Sequence, residues 1–228
     1  MNWVMLSLIL GNTLSNAAPV LMTGLGGMMS EKSGVVNIGL EGMMTIGALV
    51  GAVVGYYVGK PWLAFLCGGL AGAFFGLIHA IISVSFGGDQ TISGIAINTL
   101  GPGLALFLSR MFFDGATQTP SIDLKNKIPR LFRGSESQVI ENLFSQYATV
   151  YIALIMVVIL YLFLYKTKWG LRVIAVGEHP KAAETLNISV TKTRYWSVIF
   201  SGFMAGLGGA SMSLAVVSSF SQSLIAGQ

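Results

Sequence analysis

The sequence predicts an all-α membrane protein, a polytopic bundle of about six spanning helices in one domain, residues 1–228. Of its 228 residues, 54% are hydrophobic and only 10% are charged, and the mean hydropathy is +0.74. Soluble domains carry about 25% charged residues, so a chain of this length could not hide so much apolar surface from water. A spanning helix needs about 20 apolar residues, and six long apolar runs follow one another along the chain.

The clearest run is Tyr147–Tyr165, in which Thr149 is the only strongly polar residue. Tyrosines stand at both of its ends, as in the aromatic belts of membrane interfaces. In another run, Pro102 between two glycines is expected to kink or break the helix. The other expected spans are Trp3–Met29, Val35–Val58, Trp62–Phe86, Ile92–Phe113 and Tyr195–Val217.

Glycines recur at a four-residue step in the second and third runs. Residues four apart share one face of a helix, and a face without side chains lets two backbones approach closely, which is how helices pack in lipid. The pattern predicts that spans two and three are tightly packed inside the bundle. One row is Gly47, Gly51, Gly55 and Gly59, and the other is Gly68, Gly72 and Gly76.

Charges in the two longest loops predict the orientation. Residues 166–194 contain six basic and two acidic residues, whereas residues 114–146 contain four of each. Basic residues are enriched in cytoplasmic loops. The 166–194 loop is therefore expected in the cytoplasm, and the 114–146 loop is expected to be extracytoplasmic.

Several function classes are disfavoured. A net charge of +4 without a basic stripe does not suit nucleic-acid binding. Two histidines far apart in sequence support neither a metal site nor a Ser/His/Asp set, so no enzyme and no cofactor are expected. No phosphate-binding loop of the G-x-x-x-x-G-K-[ST] type occurs. His79 is expected to be a packed histidine, with a metal or proton-relay role as the alternative.

Polar residues at membrane depth are the first candidates for a translocation path. Glu41 lies in a glycine-rich stretch, Ser33–Met43, and a carboxylate at bilayer depth costs about 3 kcal/mol. Irregular backbone is tolerated in a membrane where it lines a cavity. Asn37 and Glu41 are therefore candidates for a path or a gate; the alternative is an interfacial helix start with Glu41 near the headgroups.

A second polar break spans residues 87–94 and precedes Asn98 in the fourth run. Asp89, Gln90 and Asn98 are further candidates for the translocation path. The alternatives are a plain turn between two spans and, for Asn98, a hydrogen bond to a neighbouring helix.

The polar island Gly170–Ile188 carries the second candidate site. Pro180 suits the first turn of a helix, the next six residues are mostly good helix formers, and Asn187 can end the helix in a left-handed conformation. A short helix with a small face at Ala182 and Ala183, surrounded by charges, suits docking on another protein. A solvated connector is the alternative.

This island resembles the cytoplasmic coupling loop of ABC importer permeases of the ribose, branched-chain amino acid and simple-sugar/nucleoside group, G-x-x-x-R-A-x-G-x-N-P-x-A-A-x-x-x-G-I. The chain departs from that pattern at Ile174, His179 and Asn187, where arginine, asparagine and glycine are expected. The resemblance implies contact with a separate ATPase, and the implied coupling residues are Gly177, Glu178, Pro180, Ala182 and Ala183.

Two further motifs are similar to those of the nucleoside and simple-sugar permeases. They are SGVVNIGLEGMM at residues 33–44, followed by Gly47-Ala48, and DQTISG at residues 89–94. The resemblance implies a type II ABC importer-like fold in a bacterial cell membrane. It implies a path for nucleosides or simple sugars, ATP bound by a partner ATPase, a second permease subunit forming a homo- or heterodimer, and an extracytoplasmic substrate-binding lipoprotein.

Three alternatives remain at this stage. One is a permease for branched-chain amino acids or ribose, and another is an ion- or proton-driven secondary transporter in which Glu41 and His79 titrate. The third is a non-transporting membrane scaffold or enzyme, of which the enzyme is disfavoured because no catalytic constellation occurs. Members of the family run on for roughly a further third after Phe220, so the chain is expected to be C-terminally incomplete, as a fragment or a truncated product.

Overall fold

The computed structural model describes residues 3–132, 134 and 137–221. Its regular structure there is helical, and six of the nine α-helices are long and apolar enough to cross a membrane, namely α1, α2, α3, α4, α6 and α9. The prediction of an all-α, multi-pass membrane protein is therefore confirmed. The helices are α1 Trp3–Lys32, α2 Leu40–Val58, α3 Pro61–Ala80, α4 Gln90–Phe112, α5 Gln138–Phe144, α6 Ala148–Lys166, α7 Lys168–Glu178, α8 Pro180–Thr185 and α9 Val190–Ser211.

Helix α9 lies at the centre of the bundle and packs against α1, α2 and α3. In its most apolar stretch 78% of the residues are buried, against 28% in α1 and in α4. A π-helical turn at Met212–Val216 extends α9, and another at Ile81–Ser85 extends α3. The last apolar run is thus the helix around which the others are arranged.

The glycine rows of α2 and α3 meet a third row on α9. A Cβ atom on Gly206 would lie 3.0 Å from the backbone nitrogen of Gly72, and one on Gly47 would lie 2.5 Å from the Cα of Gly206. Tight packing of spans two and three is found, and α9 supplies much of the opposing surface. Gly59 does not belong to its row, because it caps the C-terminus of α2 with φ +67° beside Asn126.

Helix α4 runs without interruption through Pro102, contrary to the expected break. A Cβ atom on the preceding Gly101 would lie 2.7 Å from the Cα of Gly42, so the backbones of α4 and α2 touch at this point. Proline inside a membrane helix is tolerated where neighbouring helices support the backbone. The close contact with α2 gives α4 that support.

The spans alternate in direction, so the bundle has two ends, which we name by the loops they carry. At the 114–146 end the Phe220 N–H donates to Thr119 Oγ1 at 2.8 Å, and the hydroxyl of Ser15 on α1 donates to the Gln146 side chain. The 166–194 end carries the link between α1 and α2, the turn before α4, and helices α7 and α8.

The 166–194 segment contains two helices rather than the single short one expected. Helix α8 begins at Pro180, and Asn187 follows it with φ +59°, as its residue type suggests. Helix α7 was not predicted; the Thr167 hydroxyl accepts from the Gly170 N–H at its start. Gly170, Val173 and Val176 are buried while five of the eleven residues of α7 are exposed, so α7 lies flat against the end of the bundle.

Candidate functional site

The link between α1 and α2, residues 33–39, is a non-helical stretch at the 166–194 end. Gly34 has φ +83°, a left-handed conformation that suits glycine. The Ser33 hydroxyl donates to the Ser30 carbonyl, and the Ser30 hydroxyl donates to the Val35 carbonyl, each at 2.7 Å. The irregular backbone expected in this motif is present, and the end of α1 holds its first residues.

Two predicted path residues bind the backbone of this link. Gln90 Oε1 accepts from the Val36 N–H at 2.8 Å. Asn98 Oδ1 accepts from the Gly42 N–H, and its Nδ2 donates to the Ile38 carbonyl, both at 2.8 Å. Because the break leaves these backbone groups without helical partners, the amides of α4 replace hydrogen bonds that a continuous helix would have made.

Asn37 ties the link to the central helix. Its side chain is 5% exposed, its Nδ2 donates to Ser201 Oγ on α9 at 3.0 Å, and its Oδ1 accepts from the Gly39 N–H at 3.1 Å. Asn37, Gln90 and Asn98 are thus gathered around one stretch of backbone.

His79 belongs to the same cluster, which the sequence did not indicate. It is fully buried; its Nδ1 lies 2.9 Å from Ser93 Oγ and its Nε2 lies 3.2 Å from the Val36 carbonyl. A carbonyl only accepts, so Nε2 carries the proton toward Val36 and Nδ1 accepts from the Ser93 hydroxyl. The expected packed histidine is found, and it braces the link from α3.

Asp89 and Glu41 stand apart from these contacts. Asp89 is exposed and caps α4, since its Oδ1 accepts from the N–H groups of Thr91 and Ile92 at 2.8 and 3.0 Å. Glu41 is half-buried in the first turn of α2, where the helix dipole favours a negative charge. Its carboxylate makes no hydrogen bond or salt bridge within the described part of the chain.

Gly177, at the end of α7, lies directly on the start of the link. A Cβ atom there would lie 3.0 Å from the carbonyl carbon of Lys32 and 3.1 Å from the nitrogen of Gly34. Close by, Arg194 Nε donates to the Ser33 carbonyl at 3.3 Å. Helix α7 and the start of α9 therefore contact the first residues of the link. The later residues of the link are bound by Asn37, Gln90 and Asn98, which we call the amide cluster.

The two alanines of α8 have different environments. Ala183 is 2% exposed and packs with Val176, Val190 and Ile188, which fastens α8 to its neighbours. Ala182 is exposed, as is Glu178, while Pro180 is half-buried at the start of α8. The expected small face is reduced to Ala182, because the following alanine is a packing residue.

Comparisons with known proteins identify the family of the chain. The family described as "Branched-chain amino acid transport system / permease component" matches residues 9–227. The guanosine ABC transporter permease protein NupQ of Bacillus subtilis is 43% identical over 98% of this chain and 72% of its own length. The nucleoside ABC transporter permease protein NupC of Lactococcus lactis is 36% identical over the same shares.

A third relative is the putative glucose ABC transporter permease protein TsgC13 of Haloferax volcanii, 39% identical over 91% of this chain and 63% of its own length. No solved structure matches significantly. Three findings indicate the same family. Six helices are long and apolar enough to span a membrane, the family model matches almost the whole chain, and the relatives are permeases. The chain therefore belongs to the permease-component family of ABC-type transport systems, as a multi-pass membrane protein that transports rather than an enzyme.

Proposed function

We propose that the chain is the transmembrane subunit of an ATP-driven importer of nucleosides, coupled to a separate ATPase. Two of its relatives carry guanosine or nucleoside transport in their names, at 43% and 36% identity. The putative glucose permease, at 39% identity, favours simple sugars as the second candidate. Branched-chain amino acids and ribose are then outcomes of the uptake test.

Contact between Gly177 and the link is the observation that carries the coupling proposal. The exposed residues Glu178 and Ala182 form the surface on which the ATPase docks, and the buried Ala183 holds α8 in position. Movement of α7 and α8 is transmitted through Lys32–Gly34 to the amide cluster. A switch from 1:99 to 99:1 between two states of the bundle requires about 5.5 kcal/mol of differential binding, which nucleotide binding by the ATPase supplies.

The translocation path is proposed to run along α4, between this chain and a second permease subunit. Ile92 and Ile95 on α4 are 70% and 54% exposed, and Thr91 and Thr99 are exposed as well. Glu41 supports this location, because it directly precedes Gly42, whose N–H is bound by α4. An extracytoplasmic binding lipoprotein delivers the substrate.

The 166–194 end is proposed to face the cytoplasm. Once Lys32, Lys60 and Arg110 are assigned to their ends, seven basic residues of the described part of the chain lie at the 166–194 end and five at the other. So small an excess orients the bundle weakly. The orientation therefore depends mainly on the similarity of residues 170–188 to a coupling loop.

Uptake and capture test this proposal together. Cells that lack their own nucleoside uptake would express the chain with an ATPase and a binding protein from its own source, and uptake of labelled guanosine, uridine, glucose, ribose and leucine would be compared. We expect guanosine and uridine uptake, and stoichiometric capture of an ATPase by the tagged chain. Uptake of leucine alone would overturn the assignment of nucleosides as substrates. Proton-driven uptake without a captured ATPase would overturn the ATP-driven mechanism.

The coupling surface has a matched pair of variants. Ala182→Asp should abolish uptake and ATPase capture while the chain still inserts and elutes normally, because the side chain is exposed. Thr191→Asp is the control, since it adds the same charge to an exposed position that lies outside α8, in the first turn of α9. Equal uptake by both variants would contradict docking on α8.

A further inference from the structure

A groove of about 610 Å³ opens between α6 and α9 at the 166–194 end. Its walls are apolar along the last turns of α6, where Ile159 and Phe163 line it, and along the first turns of α9, where Phe200 lines it. The lining residues of α6, from Met156 to Phe163, span about 10 Å of helix. The long axis of the groove therefore lies within the hydrocarbon region, and its mouth lies where the spans end.

The mouth of this groove is basic and aromatic. Arg172 and Lys192 line it, and no acidic residue does so among the described residues. The Arg172 guanidinium lies 4.8 Å from the centre of the Trp169 ring. Trp169 and Trp196 are 68% and 74% exposed, and tryptophan is enriched at the headgroup level of membranes.

An unsatisfied hydroxyl lies in the wall of the groove. Ser197 lines the groove and is 1% exposed, yet its Oγ has no hydrogen-bond partner in the described part of the chain. Buried polar atoms are nearly always paired. A ligand with oxygen atoms at this depth, such as the glycerol ester region of a lipid, would supply the missing partner.

We propose that this groove binds one anionic phospholipid, with an acyl chain between α6 and α9 and the phosphate beside Arg172 and Lys192. The apolar walls favour a lipid over a free phosphate, which would leave them empty. The two cations favour an anionic headgroup over phosphatidylcholine, because each basic side chain near an anionic membrane surface contributes about fivefold. An apolar protein segment would leave both cations without counter-charges.

Native mass spectrometry of the purified chain tests the site with phosphatidylglycerol and phosphatidylcholine of identical acyl chains. We expect one phosphatidylglycerol per chain, retained in preference to phosphatidylcholine. The double variant Arg172→Gln/Lys192→Gln should weaken phosphatidylglycerol binding about 25-fold, as two fivefold contributions multiply. The control Lys181→Gln removes an exposed charge of α8 outside the groove and should leave binding unchanged.

A second variant acts on the apolar part of the site. Ile159→Trp fills the groove from an exposed position of α6. It should abolish lipid retention without changing any charge. This variant therefore tests lipid binding if the double variant fails to fold. Four results would overturn the proposal: equal retention of the two lipids, full retention in either folded groove variant, displacement of the lipid by free glycerol phosphate, and a second copy of the chain occupying the groove.

Discussion

Replacement of Asn98 by leucine should destabilise the bundle. It removes one hydrogen bond to the link and one to the first turn of α2, while the volume of the side chain stays about the same. The bonds to the Gly42 N–H and the Ile38 carbonyl are each 2.8 Å long. A hydrogen bond contributes about 1 kcal/mol net, and an unsatisfied backbone group costs about 1–3 kcal/mol. Because Asn98 is half-buried and Gly42 is buried, we expect the free energy of unfolding to fall by about 2–4 kcal/mol.

The measurement is unfolding in mixed micelles with increasing denaturing detergent, followed by circular dichroism, with substrate uptake measured in parallel. Thr99→Val is the matched control, because the Thr99 hydroxyl is exposed and donates only to the Ile95 carbonyl of its own helix, at 3.0 Å. We expect a change below about 0.5 kcal/mol for this surface substitution. If Asn98→Leu were no more destabilising than Thr99→Val, the amide would not hold the link.

Three other experiments test the packing, the contact at the link and the orientation. Gly206→Leu should lower the free energy of unfolding by at least about 3 kcal/mol in the same assay, because its Cβ would meet backbone atoms of α3. The control Gly103→Ala has open space around it and should change this free energy by less than about 1 kcal/mol. Similar losses for both variants would refute the packing argument. Gly177→Val should lift α7 from the end of α1 and accelerate amide hydrogen exchange in α7 by about tenfold or more, the equivalent of about 1.4 kcal/mol; unchanged exchange would contradict the contact. In a cysteine-free background, an impermeant maleimide should label Lys127→Cys in intact spheroplasts and Lys181→Cys only after lysis, and the reverse pattern would invert the proposed orientation.

Sequence reasoning predicted the spans well because the hydrocarbon thickness fixes both their length and their apolarity. Its errors fell where a partner decides the local structure. Pro102 looked like a helix break, yet the backbone of α2 supports α4 at the neighbouring glycine. The periodic glycines indicated close packing, but periodicity on one helix does not identify its partner, so the central position of α9 was not foreseen.

The candidate site was predicted in part. Asn37, Gln90 and Asn98 were chosen for their polarity at membrane depth, and the structure gathers them around one stretch of backbone. Their amides bind main-chain groups, which no sequence motif encodes. His79 was expected to be a packed histidine, with a metal or proton-relay role as the alternative, and its place in the cluster was missed because its partner Ser93 lies on a different helix and serine is common in spans.

Helix α7 was missed for a different reason. Its buried positions Gly170, Val173 and Val176 recur every three residues, a pattern that could have indicated a helix lying flat on the bundle. The similarity to a coupling loop directed attention to Pro180 instead. Similarity also could not distinguish Ala182 from Ala183, because their exposure is set by the apolar cluster beneath α8.

Beyond its first residues, which the end of α1 holds, the link between α1 and α2 is hydrogen-bonded to side chains of α3, α4 and α9. A side-chain amide can exchange one backbone partner for another by a rotamer change. A helix, in contrast, can bend sharply only if its main-chain hydrogen bonds are disturbed. The link therefore has the features of a hinge that is held in place by side-chain hydrogen bonds. Releasing the contacts of Gln90 and Asn98 would let α2 change its tilt relative to α1 while every spanning helix stays intact.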